Sequence, residues 1–359
     1  MNMANHVKTF QVLILAFLSM VISIVHARVV PTVFVFGDSI VDVGNNNFLP
    51  NCTAKVNFHP YGVDFPNGTS TGRFTNGFNA ADCIVQKLGL EMSPPPFLSL
   101  NSWTQTLGGV NFASGGSGLL DATGARFIQV LSLGKQMTDF ETVVANLISN
   151  LGINKTRKLI AKSIFFVSTG SNDLFEDFQA NPAKNETERC AFIESLVASY
   201  QVNLEALYLL GARKFALLSI PQIGCTPAAR AINNSSGNCN EDLNESARKF
   251  YNSMQVMLKE LSCNLQGFKY SLGNSYGMVD FFFKSPSRFG FTELTDACCG
   301  NQTLCLPGST FCANRTEFLF WDVNHPTEAA YRVAAQTLFV GSREFVTPIN
   351  FGQLAAIKT

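Results

Sequence analysis

Residues 32–39 read Thr-Val-Phe-Val-Phe-Gly-Asp-Ser, and this segment decides the fold. Its first five residues are mainly β-branched and aromatic, which is the composition of a buried parallel strand. The strand pattern stops at Gly37-Asp38-Ser39, where small residues allow the chain to turn off the sheet edge. Sites in open α/β sheets form at the carboxyl ends of strands, so Ser39 lies where a nucleophile is expected. A serine in such a turn is more often only a cap or a turn former.

Strand and helix patterns alternate along the rest of the chain. Strand patterns occur at 110–112, 163–168, 214–219 and 268–272, and helix patterns at 79–88, 134–151, 187–210, 239–263 and 326–339. The segments 45–76 and 221–237 are rich in turn residues and are predicted loops. This alternation is typical of an α/β fold with a central, mostly parallel sheet covered by helices on both faces. No repeat or linker divides the chain, so residues 28–359 are predicted to form one domain.

The first 27 residues have the pattern of a secretory signal peptide. Lys8 precedes an apolar run from Phe10 to Val25, and Val25-His26-Ala27 is a small-x-small cleavage pattern. Cleavage is therefore expected after Ala27. The alternative is a membrane anchor, but a run of 16 residues that includes Gln11 and two serines is short for a membrane span. We expect a secreted, extracellular protein without an integral membrane span.

Charge and cysteine content narrow the class of protein further. Lys and Arg number 26, as do Asp and Glu, so no basic surface for nucleic acid is indicated. All ten cysteines follow the signal pattern and predict several disulfides of open connectivity. Cys298, Cys299, Cys305 and Cys312 crowd one stretch, which is typical of a disulfide-stapled loop. A zinc site is the alternative there, but the vicinal pair and the lack of a nearby His fit zinc spacing poorly.

The chain contains nine Asn-x-Ser/Thr sequences that are possible N-glycan acceptors. Each is therefore expected at the surface, although only a subset need carry a glycan. They are Asn51, Asn67, Asn154, Asn185, Asn233, Asn234, Asn244, Asn301 and Asn314.

Histidines limit the choice of catalytic base, because only His59 and His325 lie after the predicted signal peptide of residues 1–27. A His general base at neutral pH must be one of these two. Asp322 lies three residues before His325 and can reach its Nδ1 across one turn, which would fix the tautomer. The alternative is a capping Asp beside a surface His. His59 has no close carboxylate and is predicted to be structural.

A nucleophile also needs hydrogen-bond donors for the negative charge that develops on the substrate. Gly115-Gly116 and Gly170-Ser171-Asn172 each follow a predicted strand, so both should reach the same sheet edge as Ser39. A glycine lets a backbone N–H approach the substrate oxygen, and an Asn side chain supplies another donor. Taken singly, these residues are more often turn formers than donors.

The chain also contains two motifs that suggest other sites. Gly273-Asn274-Ser275-Tyr276-Gly277 matches the Gly-x-Ser-x-Gly nucleophile elbow, which requires a strand before it and a helix after it. The following segment 278–283 is strand-like in pattern, which disfavours Ser275. The glycines at 115–118 suggest a dinucleotide phosphate loop, but the third glycine of that motif is missing.

Four blocks of the chain resemble those of the GDSL esterase/lipases, also called SGNH hydrolases. The blocks are Phe36-Gly37-Asp38-Ser39, Asn111-Phe112-Ala113-Ser114-Gly115-Gly116, Gly170-Ser171-Asn172-Asp173 and Asp322-Val323-Asn324-His325-Pro326. Matches to the plant-type branch continue at 44–47, 61–66, 71–77, 223–225 and 297–300. One departure is Ile40, where the family name expects Leu.

This resemblance implies a three-layer α/β/α, flavodoxin-like sandwich and a role for each matching residue. Ser39 would be the nucleophile, His325 the general base and Asp322 the carboxylate that orients it. The backbone N–H groups of Ser39 and Gly116 and the side chain of Asn172 would form the oxyanion hole. Gly116 rather than Gly115 is a choice of alignment. No metal or cofactor is implied.

The resulting hypothesis is a secreted serine esterase or lipase that forms an acyl-enzyme on Ser39. Its substrates would be lipid esters or acylated cell-wall or secondary-metabolite esters, and a plant source would imply the cell wall or apoplast. Two alternatives stay open. The same triad could transfer the acyl group to an alcohol instead of water, or the scaffold could be a non-catalytic wall- or glycan-binding protein.

Overall fold

The computed structural model describes residues 29–232, 237–301 and 303–358. Its main sheet has six strands in the order β2-β1-β3-β4-β5-β8, parallel except for the antiparallel edge strand β8. A second, two-stranded sheet pairs β6 with β7. The strands are β1 Val33–Gly37, β2 Gly109–Asn111, β3 Ile164–Ser168, β4 Lys214–Leu218, β5 Lys269–Gly273, β6 Glu293–Ala297, β7 Phe318–Phe320 and β8 Val346–Thr347.

Helices connect the strands and cover both faces of the main sheet. The α-helices within the described ranges are α1 Ala80–Lys87, α2 Leu133–Leu151, α3 Ile153–Lys162, α4 Ser171–Ala180, α5 Glu186–Leu209, α6 Pro227–Ile232, α7 Glu241–Asn264, α8 Ser275–Lys284, α9 Glu328–Val340 and α10 Phe351–Ala356. The predicted α/β/α sandwich with a mostly parallel sheet is confirmed.

The burial of strand β1 on both faces of the sheet explains why its sequence is apolar throughout. Phe34 and Phe36 point to one face of the sheet, where they pack against Phe140 of α2. Val33 and Val35 point to the other face and belong to a core that includes residues of α1 and α9. Because successive side chains of a strand alternate between faces, a strand covered by helices on both faces must be apolar throughout.

The sheet register aligns the ends of the strands that carry the site. Gly37 pairs with Ser168, Ser168 with Leu218, and Leu218 with Gly273. The segments after β1, β3, β4 and β5 therefore leave the sheet from one row of residues. Their side chains converge at a single edge, as the sequence predicts for parallel strands.

Three element predictions were wrong. Segment 278–283 lies in helix α8, not in a strand, and Asn274 caps that helix by accepting the N–H of Gly277. The predicted loop 221–237 contains the short helix α6. Pro326 does not begin the helix after His325, which starts at Glu328 with Thr327 as its N-cap, and that helix is followed by α10.

The cysteine-rich stretch is stapled as predicted. Cys298 is bonded to Cys312 and Cys299 to Cys305, while a third disulfide joins Cys225 to Cys239. Since these thiols are consumed in disulfides, the alternative of a zinc site at this stretch is wrong. None of the described helices has the length and apolar character that crossing a membrane requires.

The expectation that every acceptor asparagine lies at the surface fails at Asn244. Its side chain is 2% exposed, accepts the Gly224 N–H and donates to Sγ of Cys225. Asn51, Asn67, Asn154, Asn185, Asn301 and Asn314 are exposed. Asn233, Asn234 and the signal pattern of residues 1–27 lie outside the described residues.

Candidate active site

Ser39 follows β1 in a tight turn that fixes its backbone. The Asp38 N–H donates to the Ser168 carbonyl, and the Asp38 carboxylate accepts the Ile40 N–H. The Ser39 side chain lies 2.8 Å from His325, measured from Oγ to Nε2. The turn therefore presents the hydroxyl to the ring nitrogen that can accept its proton.

Asp322 holds the other side of the imidazole. Both carboxylate oxygens lie 2.8 Å from His325 Nδ1, and Oδ1 also accepts the backbone N–H groups of Asn324 and His325. The alternative of a helix-capping Asp beside a surface His is wrong, because Thr327 caps the helix that follows and the His325 side chain is only 13% exposed. Since Nδ1 faces a carboxylate, it carries the proton, and Nε2 is left as the acceptor for Ser39.

The buried Asp322 carboxylate is kept ionised by its partners. Burial alone would raise the pKa of Asp322, but the His325 charge and hydrogen bonds from His325, Tyr61 and the Asn324 N–H lower it below its ordinary value. The Tyr61 hydroxyl donates to Oδ2 at 2.6 Å. Burial, together with this neighbouring carboxylate, raises the pKa of Tyr61, so its hydroxyl remains a donor.

Backbone donors converge beside Ser39. The N–H groups of Ser39 and Gly116 have no hydrogen-bond acceptor among the described residues. The neighbouring Gly115 N–H instead donates to Asp42. This geometry favours Gly116 over Gly115 as the oxyanion donor. Gly116 has φ +84°, and a Cβ there would lie 2.5 Å from the Phe127 ring, so only glycine fits.

Asn172 reaches the same region from the first turn of helix α4. Its Nδ2 donates to the Ser117 carbonyl at 2.9 Å, which orients the amide. An amide nitrogen carries two N–H bonds, so one remains for a substrate oxygen. The structure thus brings together in one cavity the five residues expected at the site, which are Ser39, Gly116, Asn172, Asp322 and His325. Ser275 lines the same cavity, and His59 does not.

Ser39 and His325 lie in a cavity of about 510 Å³. It is lined by loop residues that include Lys55, Arg126 and Leu306. The lining also includes residues at the carboxyl edge of the sheet and side chains of α1, α8 and α9. A volume of this size is typical of a site for a small molecule.

Residues 33–338 match the family model described as GDSL-like lipase/acylhydrolase. The chain belongs to this family. Among curated relatives from Arabidopsis thaliana, GDSL esterase/lipase At4g16230 is 38% identical over 92% of this chain and 92% of its own length. GDSL esterase/lipase At5g55050 is 36% identical over 91% and 90%, and GDSL esterase/lipase 6 is 36% identical over 96% of each chain.

Family membership makes this GDSL protein a carboxylic ester hydrolase of the serine hydrolase type. The interpretation as a non-catalytic binding protein is thereby set aside. Among solved structures, an α/β hydrolase enzyme from the metagenome of Lake Arreo, Spain, aligns with 86% of this chain and 93% of its own at 12% identity and a TM-score of 0.37.

Buried polar residues that sequence reasoning missed hold the GDSL blocks against one another. Asp173 accepts the N–H groups of Leu119 and Leu120 and the Thr123 hydroxyl, which ties helix α4 to the loop after Gly116. Asp42 accepts the N–H groups of Gly44, Asn45 and Gly115. Burial raises the pKa of Asp173, and it raises that of Asp42 to about 6.

Gln136 of helix α2 is a third such residue. Its Oε1 accepts the Gly37 N–H at 2.8 Å, and its Nε2 donates to the Gly37 carbonyl at 2.9 Å. One buried amide thus pairs with both polar groups of the last residue of β1. The sequence signal for Gln136 is a polar residue beside Leu133 and Met137 on the apolar face of its helix.

Two rejected candidates are also explained by the structure of this GDSL hydrolase. Ser275 does lie in a strand–helix turn, so the missing context used against it is present. The reason for disfavouring Ser275 was therefore wrong. Ser275 is nevertheless not the partner of His325, whose Nε2 is hydrogen-bonded to Ser39. His59 is exposed, and its ring contacts Phe311 edge-on at 5.8 Å.

Proposed function

We propose that this GDSL hydrolase cleaves carboxylic esters through a covalent acyl-enzyme on Ser39. The observation that carries the proposal is the continuous chain of hydrogen bonds from Ser39 Oγ through His325 to Asp322, each 2.8 Å long. In this arrangement the base lies within the reach that proton abstraction needs, and a third group orients it.

In the first half-reaction, the Ser39 hydroxyl gives its proton to His325 Nε2 as Oγ bonds to the ester carbonyl carbon. The protonated imidazole then passes that proton to the departing alcohol, whose bond to the carbonyl carbon breaks. In the second half-reaction, water loses a proton to Nε2 and attacks the acyl-enzyme. The proton returns to Ser39 Oγ as the acid is released.

Asp322 stays ionised through both half-reactions and stabilises the imidazolium. The developing charge on the carbonyl oxygen would be met by the N–H groups of Ser39 and Gly116 and by the Asn172 amide. Donors of this kind are typically worth roughly 10²–10³ in rate each. The free N–H groups at 39 and 116 support this assignment.

The mature protein is proposed to be secreted and glycosylated, with a signal peptide over 1–27 and one hydrolase domain over 28–359. Three disulfides support an oxidising compartment. The exposed acceptor asparagines support glycosylation at a subset of positions. For a plant protein this means the cell wall or apoplast.

The test is hydrolysis of p-nitrophenyl butyrate by the wild type and by Ser39→Ala, His325→Ala and Ser195→Ala. Ser195 is exposed on helix α5 and provides a matched serine control. The proposal requires both active-site variants to lose activity by roughly 10⁴ or more, and Ser195→Ala to keep it. Full activity in Ser39→Ala would overturn it. Adding an alcohol acceptor and analysing the products separates hydrolysis from acyl transfer.

A further inference from the structure

Balanced charge totals predict no basic surface, yet the charges of this chain are unevenly distributed. Helix α3 and the two connections that lead into β4 and β5, residues 210–214 and 265–269, contain seven Lys or Arg residues and no Asp or Glu. The whole chain has 26 of each charge, so the rest of the chain holds the excess of acid.

These three segments lie side by side at the amino edge of the main sheet. Helix α3 leads into β3, whose first residue Ile164 pairs with Lys214 of β4, and Lys214 pairs with Lys269 of β5. A Cβ built on Gly211 would lie 3.3 Å from Ile160 of α3, so the connection into β4 packs against this helix. The cations of the three segments therefore share one continuous surface.

Six of the seven cations reach solvent, and we call them the distal basic patch. Its exposed members are Lys155, Arg157, Lys158 and Lys269, and its partly exposed members are Lys162 and Arg213. None of the six forms an ion pair with a carboxylate among the described residues. The seventh cation, Lys214, is buried, and burial together with the charge of Lys162 lowers its pKa. The patch thus concentrates positive charge that no part of the described chain neutralises.

Arg213 is oriented in a way that suits a carboxylate. Its guanidinium lies over the Tyr208 ring, 4.0 Å from the ring centroid, and its Nη1 donates to the carbonyls of Tyr208 and Ala212. The Nε and Nη2 groups have no acceptor among the described residues. Since these two groups form the fork that binds a carboxylate through two parallel hydrogen bonds, Arg213 can hold one such group in a fixed orientation.

The distal basic patch lies far from the active site. Its segments precede β3, β4 and β5, whereas Ser39 follows β1 at the carboxyl edge of the sheet. A strand of five residues, such as β3, spans roughly 16 Å. A partner bound to the patch therefore leaves the catalytic cavity open.

The shape of the patch favours a polymer over a bilayer. Helix α3 has ten residues and extends the patch along roughly 15 Å, which suits a chain with repeated anionic groups. Its apolar residues Leu159 and Ile160 pack against the core, so the helix has no apolar stripe that could enter a bilayer. Ile153 on this helix and Leu209 before the connection into β4 are exposed, but scattered apolar residues of this kind are ordinary at protein surfaces.

We propose that the distal basic patch binds an acidic polysaccharide outside the cell, with uronate carboxylates paired to its Lys and Arg side chains. Such binding would hold the hydrolase on a polymer while the cavity stays free for its ester. The inference goes beyond ester hydrolysis and rests only on the proposed secretion.

The glycan acceptor Asn154 gives the inference a further requirement. Asn154 is exposed on α3 and lies four residues before Lys158, so both side chains are on one side of the helix. A glycan at Asn154 would cover part of the patch. The secreted protein should therefore carry no glycan there, and full occupancy of Asn154 would contradict the inference.

The test measures the affinity of the secreted protein for immobilised polygalacturonate at low salt, with the methyl-esterified polymer as the neutral reference. The wild type should bind only the acidic polymer, and raising the salt should weaken this binding. The triple variant Arg157→Ala/Lys158→Ala/Lys269→Ala should bind roughly tenfold more weakly, as expected for the loss of three exposed charge pairs. The control Lys284→Ala/Arg288→Ala/Arg343→Ala removes three exposed cations elsewhere and should bind like the wild type.

Equal weakening in the two triple variants would overturn the inference, because it would show attraction to net charge alone. Equal binding of the wild type to the acidic and the methyl-esterified polymer would also overturn it. Tighter binding to phosphatidylglycerol vesicles or to an oligonucleotide than to polygalacturonate would assign the patch to another partner. Hydrolysis of p-nitrophenyl butyrate should be unchanged in both triple variants, so failure of this inference leaves the proposed function intact.

Discussion

Tyr61 and Asp322, 261 positions apart in the chain, share a buried hydrogen bond of 2.6 Å. The Tyr61 ring is held edge-on between Phe58 and Trp321. Its hydroxyl donates to Oδ2 of Asp322, and both oxygens of this carboxylate face His325 Nδ1. Tyr61 touches no reacting atom, so we propose it as a positioning residue that acts through Asp322.

Replacing Tyr61 by Phe should lower kcat by roughly three- to tenfold, with little change in KM, because one donor to the buried carboxylate is lost. Since the Tyr61 hydrogen bond helps to lower the pKa of Asp322, its removal should raise that pKa. Because Asp322 contacts the imidazole and not the substrate, the loss should appear in kcat per titrated active site and not in KM. A merely structural role would lower the number of active sites and leave kcat per site unchanged.

Asn172→Ala should lower kcat by roughly 10²–10³ while leaving KM within a few-fold, because the amide would act mainly in the transition state. The matched control is Asn181→Ala, at the exposed C-terminal end of the same helix. Steady-state kinetics on p-nitrophenyl butyrate measure both. An equal loss of kcat in the two variants would show that Asn172 is not a donor of the oxyanion hole.

The buried Asp38 carboxyl should make the free energy of unfolding depend on pH. Burial raises the pKa of Asp38 to about 7, whereas an unfolded Asp ionises near 4. The folded state thus holds a proton that the unfolded state releases, so the stabilising contribution is complete below about pH 4 and is lost as the pH rises to about 7.

Urea unfolding of the wild type and Asp38→Asn between pH 4 and 8 tests this dependence. The variant cannot ionise at residue 38, so it should gain stability relative to the wild type as the pH rises. The gain in free energy of unfolding should not exceed about 4 kcal/mol, since the pKa rises from 3.8 to about 7 and each pKa unit is worth about 1.4 kcal/mol. A stability difference that stays constant over this range would contradict the raised pKa.

Glycan mapping of the secreted protein should find Asn244 unmodified. Its amide is buried and bonded to both Gly224 and Cys225, so a folded chain cannot accommodate a sugar there. Exposed acceptors such as Asn314 provide the comparison within the same sample. High glycan occupancy at Asn244 would show that the packing around helix α7 differs from this description.

Local patterns were enough to predict much of this molecule. The uninterrupted apolar run of β1 indicated a strand buried on both faces, and Asp322-x-x-His325 indicated the carboxylate–imidazole contact. Each inference needs only residues that are close in the chain. The convergence of Ser39, Gly116 and Asn172 followed from parallel strands that end at one sheet edge.

Contacts between distant segments could not be predicted in the same way. Nothing near Tyr61 identifies Asp322 as its acceptor, and nothing near Gln136 identifies Gly37 as its partner. The strand predicted at 278–283 was wrong because its local sequence is misleading. Three consecutive Phe residues are typical of a buried strand, but tertiary packing and the Asn274 cap favour a helix there.

The most direct test of the central claim is to label the active protein with a fluorophosphonate and map the modified peptide by mass spectrometry. The account predicts one phosphonylated residue, Ser39, and no labelling in Ser39→Ala. It also predicts that Ser275→Ala is labelled on Ser39 like the wild type. An adduct on Ser275, or labelling that persists in Ser39→Ala, would contradict it.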